Sequence, residues 1–577
     1  MVNLEVLRHS ASHVLAIAVK NLYPDVKLGI GPAIEDGFYY DFDNLKISEG
    51  DLDKIEKKMK EIIKKNLKFE RIEKTIAEAK KSLKDEPYKL DLLKELKKPI
   101  FYKTGDFIDL CSGPHVKTTG EIKAFKLLKL AGAYWRGDSK NKMLTRIYGA
   151  AFETKKELDD YLKSLEEAKL RDHRKIGKEM DLFSFSEYGP GFPFWHHKGL
   201  FIFNQLIEFW REKHYECGYQ EIKTPIILNR ELWDKSGHWK LYKENMYVTK
   251  IDDKECAIKP MNCPGGMLVY KQKIHSYKEL PLRVGELGLV HRHEISGVLS
   301  GLFRVRMFTQ DDAHIFCTPE QLGDEIIGVV KLTQEMLSVF GFKDYKFTLS
   351  VRGKKKKDKY LGSDNEWDWA QDSILKALKK LNLKSETLEG EAKFYGPSLD
   401  VQIKDCLGRK WQCATVQLDF NLPKRFNIHY EGKDGKKHIP YILHRVVYGS
   451  LERFIGILLE HYAGKLPLWL SPVHARIITV SDSNLKFANE VMGKMREKEL
   501  RVEIDDRRES IPRKVRDAQI EKIPLMVTVG DKEQKEGKLA VRDYYGKVKF
   551  GVGVDAFIKK VAEDIKKKKN SLSCDEF

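Results

Sequence analysis

Between about residues 180 and 470, strand patterns follow one another along the chain, and helical patterns occur only at intervals. Apolar and polar residues alternate as in strands at 219–223, 283–293, 303–316, 398–405 and 411–420. Helical periodicity is found at 199–217, 320–340, 366–382 and 447–463. Mostly consecutive strands with peripheral helices predict an antiparallel sheet in an α+β domain.

The N-terminal part has a different pattern. A helix is predicted from Leu4 to Leu22, followed by a Gly/Pro-rich extended stretch from Gly29 to Asp43 and Lys/Glu-rich helices near 51–66 and 75–85. A charged helix near 155–177 lacks a strong apolar stripe, so we interpret it as a solvent-exposed connector.

The C-terminal part alternates strands and helices. Strands are predicted at 475–480, 501–504 and 525–529, and helices at 484–498, 510–521 and 555–567. This alternation predicts a small α/β domain with parallel strands, and the polar tail from Lys566 is predicted to be disordered. We expect three domains, at 1–175, 176–470 and 471–577.

Composition narrows the class of partner. The net charge of +18 favours a polyanionic partner, since clustered Lys and Arg displace counterions from phosphates; the alternative is a Lys-rich surface that only stays solvated. The run Lys354–Lys357 is interpreted as a solvated loop. Eight scattered cysteines indicate a reducing compartment. With no apolar run near the ~18 residues that span a bilayer and no secretory signal pattern, we expect a cytoplasmic protein without a membrane partner.

The central domain contains a strand with polar side chains on one face. Leu289–Glu294 and Gly301–Phe316 are predicted to be a strand, a loop and a returning strand. Because strand side chains alternate, Phe308 shares a face with the polar residues Gln310, Asp312 and His314. Burying such a row without partners is costly. The alternatives are a functional site or an edge strand with a polar outer face.

Three distant residues form a possible metal set. Cys263 lies in the Pro/Gly turn of KPMNCPG, His314 lies in the polar row, and His444 lies at a predicted strand end. One Cys and two His suit zinc and leave a position open for substrate. The spacings are too long to diagnose a metal by themselves, and each residue alone is compatible with a structural role.

The N-terminal part carries a second set. His9 and His13 in HSASH lie at i and i+4 on one helix face, and Cys111 and His115 lie in CSGPH. By chemistry alone this set fits a metal site or a hydrolytic cluster. The alternative is a solvated histidine pair and an unrelated cysteine.

Together these motifs resemble the class II aminoacyl-tRNA synthetases, and specifically the threonyl-tRNA synthetase family, over essentially the whole chain. The segments that carry the resemblance are LVHRHE, FRVRMFTQDDAHIF, PMNCPG, FYGPSLD, WQCATVQLDF and HRVVYGSLERF. The resemblance implies a class II antiparallel sheet core between an N-terminal α+β editing domain and a C-terminal α/β anticodon-binding domain. It also implies a form without the ubiquitin-like domain that often precedes the editing domain.

The resemblance further implies an activity. The enzyme would activate L-threonine with ATP to threonyl-adenylate, transfer it to tRNA(Thr), and hydrolyse mischarged seryl-tRNA(Thr). It would act as a homodimer, with the helix 199–217 and Pro225 at the interface. One Zn²⁺ per chain, and Mg²⁺ with ATP, would serve as cofactors.

The family assigns roles to the central motifs. Arg292 would hold the α-phosphate and the threonine carboxylate, and Glu294 would lie near the adenine. Arg304 and Arg453 would bind the outer phosphates, and Arg453 and Phe308 would sandwich the adenine. Forked, always-charged guanidinium groups suit this work. The implied catalytic residues are Arg292, Gln310, Gln412 and Arg453, with Gln412 on the α-phosphate side.

Specificity for threonine has a physical basis in these assignments. Zinc on Cys263, His314 and His444 would chelate the amino group and the hydroxyl of threonine. Asp312 would accept from the hydroxyl, and the pocket would be lined by Gln310, Tyr395 and Gln417. A site built around a hydroxyl can discriminate against valine by a factor of roughly 10⁴–10⁵. Serine lacks only a methyl group, and this difference gives a discrimination of only about 10–200-fold. A serine error must therefore be corrected afterwards.

The family places that correction in the N-terminal domain. The implied editing residues are His9, His13, Lys89, Asp109, Cys111 and His115, which would position a water against the seryl ester. We do not predict a required metal there. In the C-terminal domain, Glu509 and Arg516 are the implied anticodon readers, and Arg496, Arg507, Arg508 and Arg513 supply further donors.

Two residues depart from the family pattern. Gly266 replaces a usual histidine after NCPG, and Ser398 replaces the usual lysine of YGPK. The loss of that lysine cation is expected to slow activation or to shift its role to another group. The alternatives are a prolyl or seryl synthetase, a silent RNA-binding regulator, or a deacylase that only edits. The Cys-His-His set argues against the first, and the intact Arg292 and Arg453 argue against the other two.

Overall fold

The computed structural model describes residues 3–138, 140–353 and 360–577. The Lys354–Lys357 run lies outside the described residues. The chain divides into two compact units, of which the first ends at Glu167 and the second begins at Ala168.

The first unit is an α+β structure. Its helices are α1 (Leu4–Leu22), α2 (Leu52–Lys64), α3 (Ile76–Ser82), α4 (Pro87–Leu93) and the greater part of α5 (Lys155–Leu170). Its strands are β1 (Lys27–Leu28), β2 (Ala33–Ile34), β3 (Gly37–Asp43), β4 (Glu70–Glu73), β5 (Ile100–Thr104), β6 (Phe107–Leu110), β7 (Ala124–Tyr134) and β8 (Met143–Phe152).

Helix α1 is the central packing element of this unit. Asn3 caps it by accepting from the Glu5 N–H at 3.0 Å. Its residues share one core with α2, β3 and β8, including Val14, Ile55 and Phe38, all fully buried. The main sheet has the order β1–β3–β8–β7, with β2 paired to β3, and a second sheet has the order β4–β5–β6. The His-bearing face of α1 is thereby fixed in position.

The second unit contains the predicted sheet domain. Its helices up to residue 470 are α6 (His173–Glu179), α7 (His197–Glu216), α8 (Arg230–Ser236), α9 (His238–Tyr242), α10 (Cys263–Tyr270), α11 (Leu322–Val339), α12 (Asp364–Lys380), α13 (Leu422–Phe426) and α14 (Leu451–His461). Its strands there are β9 (Phe183–Ser186), β10 (Gly189–Trp195), β11 (Gln220–Glu221), β12 (Ile227–Asn229), β13 (Tyr247–Ile251), β14 (Lys254–Ile258), β15 (His275–Ser276), β16 (Leu282–His291), β17 (Met307–Cys317), β18 (Tyr345–Val351), β19 (Ser385–Glu389), β20 (Ser398–Lys404), β21 (Lys410–Asp419), β22 (Tyr430–Glu431), β23 (Lys437–His438) and β24 (Tyr441–Val446).

An eight-stranded sheet forms the core of this domain, in the order β11–β16–β17–β24–β21–β20–β18–β19. Its five central pairings, from β16 to β18, are antiparallel, and the outermost pairings β11–β16 and β18–β19 are parallel. The predicted antiparallel α+β core is therefore confirmed. Apolar residues of α11 and α12, including Ile326 and Trp367, pack against the sheet.

The last part of the second unit is a five-stranded α/β sheet. Its strands are β25 (Ala475–Thr479), β26 (Val502–Asp505), β27 (Leu525–Val529), β28 (Lys538–Asp543) and β29 (Val548–Gly553), and its helices are α15 (Leu485–Glu497), α16 (Ile511–Ile520), α17 (Asp531–Glu536) and α18 (Val554–Lys566). The three predicted strands are parallel, as expected, and β28 and β29 add antiparallel strands that the sequence interpretation missed.

Several predicted boundaries were wrong for local reasons. The predicted connector helix breaks before Asp172, whose side chain caps α6 by accepting from the Arg174 N–H, and α6 buries Ile176 rather than remaining exposed. The predicted helix at 447 begins only at Leu451, because the carboxylate of Asp311 holds the preceding N–H groups in a loop.

The polar tail is also packed rather than disordered. Leu572 and Cys574 are buried against the C-terminal sheet, and the Phe577 ring lies 5.0 Å from that of Phe557.

Candidate functional site

A row of side chains crosses four adjacent strands of the large sheet. The register pairs Ser398 with Gln417, Gln417 with His444, and His444 with His314. Directly opposed residues of antiparallel strands project to the same face. The row therefore places both predicted histidine ligands beside two polar residues on one face of β20, β21, β24 and β17.

Cys263 reaches this face from the first turn of α10, after Asn262. The ligand atoms of Cys263, His314 and His444 all lie within 4.8 Å of one another, and all three residues are buried. The two imidazole rings meet edge to face, with centroids 4.8 Å apart. The structure thus brings the three predicted ligands together from three separate elements.

The donor set fits a zinc ion. Nε2 of His314 is buried without a hydrogen-bond partner among the described residues. Nε2 of His444 lies 2.9 Å from Oδ2 of Asp419, an outer hydrogen bond that fixes the ring and leaves Nδ1 free. Burial raises the pKa of Cys263 well above its usual range, and burial lowers the pKa of His314 to about 4, so that this imidazole is neutral. A bound cation would favour the thiolate form of Cys263.

Asp312 and Tyr395 lie beside this set. Oδ2 of Asp312 is 4.0 Å from Nε2 of His314 and accepts from the Asn262 amide at 3.2 Å. The Tyr395 ring is 5.6 Å from that of His444. Burial, and then the charges of Cys263, Asp419 and Asp312, raise the pKa of Tyr395. One carboxylate and one phenol therefore face the same small volume as the candidate ligands.

Three arginines converge next to this volume. The Arg292 guanidinium lies 5.0 Å from the centre of the Phe308 ring, and its Nε donates to the Pro260 carbonyl. Arg304 pairs with Glu294 at 2.9 Å. Partial desolvation lowers the pKa of Arg453, and the charges of Arg304 and Arg292 act in the same direction. Such a concentration of positive charge suits a polyphosphate.

Gln412 joins the site through a β-bulge. Cys413 is an extra residue on β21, between the pairs Val401–Ala414 and Gln402–Gln412. The bulge reverses the alternation, and Nε2 of Gln412 donates to Asp400 at 2.6 Å and to Thr415 at 3.2 Å. Gln417 donates to the Gly396 carbonyl at 3.3 Å. Gln310 lies on β17 and forms an isolated antiparallel β-bridge with Ser450, the residue before α14.

The two departures from the family pattern lie at the same site. A Cβ added at Gly266 would lie 3.6 Å from Nδ1 of His314, in ordinary van der Waals contact with that candidate ligand. Ser398 is 4% exposed and belongs to the row that contains His314 and His444. Both substitutions therefore alter the immediate surroundings of the candidate metal set.

Sequence reasoning missed two residues of this site. Asn262 holds Asp312 and immediately precedes Cys263 in the KPMNCPG segment. His238 is fully buried, and its two ring nitrogens contact Ser236 at 2.7 Å and Met261 at 3.0 Å. Burial, and next the neighbouring His444, lower the pKa of His238 to about 4. A single histidine in a helix carried no signal in the sequence.

The first unit contains the second candidate site. Helix α1 supplies His9 and His13, and the loop after β6 supplies Cys111 and His115. Sγ of Cys111 lies 3.3 Å from Nε2 of His9 and 3.2 Å from Nε2 of His115. These three donor atoms are also close enough to hold a metal ion.

His13 lies at the edge of this cluster. Its ring packs edge-on against His115, Phe69 and Phe107 at 4.9, 5.7 and 5.3 Å. Its Nε2 has no hydrogen-bond partner among the described residues. Burial lowers the pKa of His13 to about 3 and that of His115 to about 2, and raises the pKa of Cys111 to about 11. The cluster is therefore neutral at pH 7.

A buried ion pair lies next to the cluster. Nζ of Lys89 is 2.9 Å from Oδ2 of Asp109, which also accepts from the Tyr40 hydroxyl at 2.8 Å. A cavity of about 640 Å³ is lined by His9, His13, Lys89, Asp109 and Cys111. Five of the six predicted editing residues thus line one cavity, and Tyr40 is an addition that the sequence did not reveal.

Of the predicted anticodon readers, Glu509 lies just before α16 and Arg516 lies in the middle of this helix. Glu509 pairs with Arg513 at 3.0 Å, and both Glu509 and Arg516 are exposed. Arg507 pairs with Asp505 and Asp517, and Arg508 pairs with Asp482. Part of the predicted positive surface is therefore neutralised by neighbouring carboxylates.

Comparison with known protein families gives three matches. Residues 247–462 match the tRNA synthetase class II core domain (G, H, P, S and T), and residues 474–564 match the anticodon binding domain. Residues 101–148 match the threonyl and alanyl tRNA synthetase second additional domain.

Two threonine--tRNA ligases are similar in sequence to this chain over nearly its whole length. The threonine--tRNA ligase of Clostridium tetani is 57% identical over 542 residues, which are 93% of this chain and 84% of that protein. That of Carboxydothermus hydrogenoformans is 57% identical over 95% of this chain and 86% of its own. The solved RNA-binding domain of threonyl-tRNA synthetase from Cryptosporidium parvum superposes with a TM-score of 0.64 at 36% identity, covering 68% of this chain and 98% of that chain.

Among the helices of the described residues, none has the length and apolar character needed to cross a membrane.

Proposed function

The chain belongs to the threonyl-tRNA synthetases, which join threonine to tRNA with ATP, and from this premise we propose which of its residues carry the two reactions. It is a class II synthetase that charges tRNA with threonine, uses ATP with Mg²⁺, and has an editing domain for mischarged tRNA. The residue roles, the zinc ion, the dimer and the domain limits below are our proposals.

Threonine activation is assigned to the three arginines. Arg292 would bind the threonine carboxylate and the α-phosphate together, while Arg304 and Arg453 bind the outer phosphates. The Glu294 carboxylate, which pairs with Arg304 at 2.9 Å, would turn to the adenine when ATP replaces it as the partner of Arg304. Phe308 and Arg453 would enclose the base, with Gln412 on the α-phosphate. Catalysis would consist of holding carboxylate and phosphate in line and neutralising the leaving pyrophosphate.

Recognition of threonine is assigned to the row on the sheet face. Cys263, His314 and His444 would hold a zinc ion. When bound, this ion would act as a Lewis acid for the amino group and hydroxyl of threonine. Asp312 would accept from that hydroxyl, and Gln310, Tyr395 and Gln417 would line the remainder of the pocket. Valine brings no hydroxyl to donate to Asp312, whereas serine does, so that serine enters more readily.

Editing is assigned to the cavity of the first unit. His9, Cys111 and His115 lie in mutual contact, and a water placed among them would meet two imidazole nitrogens as proton acceptors. Lys89 would remain paired to Asp109 and orient that carboxylate. His13 would limit the space beside His115. The extra methyl of threonine would displace its ester, and even ~1 Å of misplacement costs about 10²-fold.

The remaining assignments concern assembly and tRNA. We propose an editing domain at 1–175, a catalytic domain at 176–470 and an anticodon-binding domain at 471–577 in a cytoplasmic homodimer. Glu509 and Arg516 would read the anticodon of tRNA(Thr). The exposed positions of both residues support this assignment.

A single observation supports the threonine site most strongly: Cys263, His314 and His444, from three separate elements, place their ligand atoms within 4.8 Å of one another. We expect one zinc per chain in the purified protein. Cys263→Ala should lose the zinc and reduce threonine-dependent ATP–pyrophosphate exchange by more than 100-fold, since three ligands become two.

Cys317→Ala is the matched control, because Cys317 is equally buried, lies on β17 and is absent from the metal set. It should retain zinc and exchange activity. A zinc-free active enzyme, or unchanged threonine activation in Cys263→Ala, would show that the pocket recognises threonine by other means. Comparing threonine, serine and valine as substrates tests the hydroxyl preference in the same assay.

A further inference from the structure

Ser10 lies inside the editing unit, between the two histidines of α1. It is fully buried, and its Oγ contacts three polar atoms. These are the Val6 carbonyl oxygen at 2.8 Å, the Val116 amide nitrogen at 2.9 Å and Nδ1 of His115 at 3.1 Å. Ser10 therefore connects α1 directly to the CSGPH loop.

The chemistry of these partners limits how the hydrogens can be shared. A hydroxyl has one hydrogen to donate and two lone pairs to accept with. The Val116 N–H can only donate, so it uses one lone pair, and the hydroxyl hydrogen is assigned to the Val6 carbonyl oxygen, the nearer of the two possible acceptors at 2.8 Å against 3.1 Å for Nδ1 of His115. In this arrangement the lone pair that remains can only accept, so Nδ1 of His115 carries a hydrogen.

This assignment determines the other side of the ring. A neutral imidazole carries one hydrogen, so a protonated Nδ1 leaves a lone pair on Nε2. Burial lowers the pKa of His115 to about 2, which keeps the ring neutral. Nε2 lies 3.2 Å from Sγ of Cys111 and is directed into the cluster. It is thus available as a proton acceptor.

We propose that Ser10 is a positioning residue of the editing reaction, which holds His115 in the tautomer whose Nε2 accepts a proton. The inference rests on the proposed assignment of editing to this cluster. The neighbouring Ser12 cannot do this, because its Oγ lies against two carbonyl oxygens, those of His9 and Gly31. Of the two buried serines in the HSASH segment, Ser10 is the one that meets an imidazole.

The test is deacylation of preformed seryl-tRNA by the full chain as wild type, Ser10→Ala, His115→Ala and the double variant. The deacylation rate of Ser10→Ala should be about 10- to 100-fold lower than that of wild type, since the His115 ring is then free to adopt the other tautomer and to turn. The double variant should be no slower than His115→Ala within about twofold, because Ser10 acts only through His115. The proposal would be overturned if the rate losses of the two single variants multiplied in the double variant. A Ser10→Ala rate within twofold of wild type would also overturn it.

Thr119→Val is a matched control within the same unit. Its hydroxyl is also fully buried, accepts from the Leu67 N–H at 3.0 Å and donates to the Ile62 carbonyl at 3.2 Å. This variant removes a buried hydroxyl without touching a histidine, and its deacylation rate should stay within twofold of wild type. A loss as large as that of Ser10→Ala would mean that any buried hydroxyl serves and would refute the specific role.

Two further measurements cover the case in which Ser10→Ala does not fold. Ser10→Cys keeps the volume but offers a weak acceptor, and it should lose deacylation while threonylation persists. Nitrogen NMR of labelled histidines should show Nδ1 of His115 protonated in the wild type and a tautomer mixture in Ser10→Cys; an Nε2-protonated wild type contradicts the inference. If His115→Ala deacylates normally, the editing assignment itself fails, whereas a silent Ser10 variant beside an impaired His115→Ala removes only the role of Ser10.

Discussion

At the scale of single residues, the candidate site on the large sheet depends on outer hydrogen bonds. Asp419 orients His444, and Asn262 donates a hydrogen bond to Asp312. The Pro260 carbonyl accepts a hydrogen bond from Nε of Arg292. Each functional side chain is thus restrained by a neighbour that does not itself carry the proposed chemistry. Such restraint matters because errors of about 1 Å in placement cost large factors in rate.

Arg292→Ala tests the proposed phosphate chemistry. Since the guanidinium is assigned to charge that develops on the α-phosphate, its loss should lower kcat more than it raises KM for ATP. We expect a 10²- to 10⁴-fold decrease in kcat for threonine activation, or roughly 3–5 kcal/mol. The measurement is steady-state ATP–pyrophosphate exchange at varied ATP.

Arg306→Ala serves as the comparison, because Arg306 is close in sequence but donates to the Glu294 and Pro190 carbonyls of the loop. It should raise KM for ATP more than it lowers kcat. If Arg292→Ala stays within a few-fold of wild type, the reaction centre has been misplaced.

At the scale of elements, the site depends on how the start of α10 packs on β16. A Cβ added at Gly288 would lie 2.1 Å from Oδ1 of Asn262, so only glycine lets that side chain approach the strand and donate to Asp312. Three elements, α10, β16 and β17, therefore hold Asp312, the proposed acceptor for the threonine hydroxyl. None of these contacts is local in sequence.

Gly288→Ala should consequently reduce the preference for threonine over valine. Displacing Asn262 leaves Asp312 less well held, and we expect about a tenfold lower ratio of the two kcat/KM values, or about 1.4 kcal/mol. KM for ATP should not change. The assay is ATP–pyrophosphate exchange with each amino acid.

Gly328→Ala provides the control, since nothing lies within 4 Å of a Cβ at this helical position. It should leave the preference intact and stabilise α11 by roughly 0.5–1 kcal/mol. An unchanged preference in Gly288→Ala would show that Asn262 adapts or does not act on Asp312.

At the scale of the whole molecule, the two units concentrate buried neutral histidines. Burial lowers the pKa of His13 to about 3 and of His115 to about 2. The unfolded chain binds protons at such residues near pH 6.5, whereas the folded chain does not. The stability of the folded chain that depends on these neutral histidines is therefore complete above pH 6.5 and is lost as the pH falls from 6.5 toward 3.

We expect acid to destabilise the first unit for this reason. Each such histidine lowers the free energy of unfolding by up to about 1.4 kcal/mol for every pH unit below 6.5. The midpoint temperature of thermal unfolding should therefore decrease when the pH is lowered from 7 to 5. His13→Gln should make this pH dependence shallower in thermal unfolding. Identical pH slopes in wild type and His13→Gln would contradict the explanation.

The proposed dimer is a second prediction at this scale. Next to Pro225, Ile226 and Ile227 are 38% and 46% exposed, and Tyr215 on α7 is 85% exposed. These apolar surfaces suit a C2 interface. Sedimentation at micromolar concentration should give a dimer, and Ile226→Lys with Ile227→Lys should shift it toward monomer. A fully active wild-type monomer would refute the proposal.

The sequence by itself determined the class of fold and the identity of most candidate residues. Alternation and helical periodicity report which face of an element is apolar, and these local signals located β16, β17, β20, β21 and the α/β alternation of the C-terminal part. The ordered motifs carried the family resemblance. The short edge strand β11 lies within the strand predicted at 219–223, whereas the added strands β28 and β29 escaped, because their pairing partners are set by the sheet and not by their own pattern.

Only the tertiary structure decided how these residues meet. The bulge at Cys413 turns Gln412 to the face of Thr415, although strict alternation would separate them. The start of α14 moves to Leu451 because a buried carboxylate on another strand binds the preceding amides. Nδ1 of His115 meets the hydroxyl of Ser10, which lies 105 residues earlier in the chain. These outcomes depend on long-range hydrogen bonds, whose partners are brought together only when the core has packed.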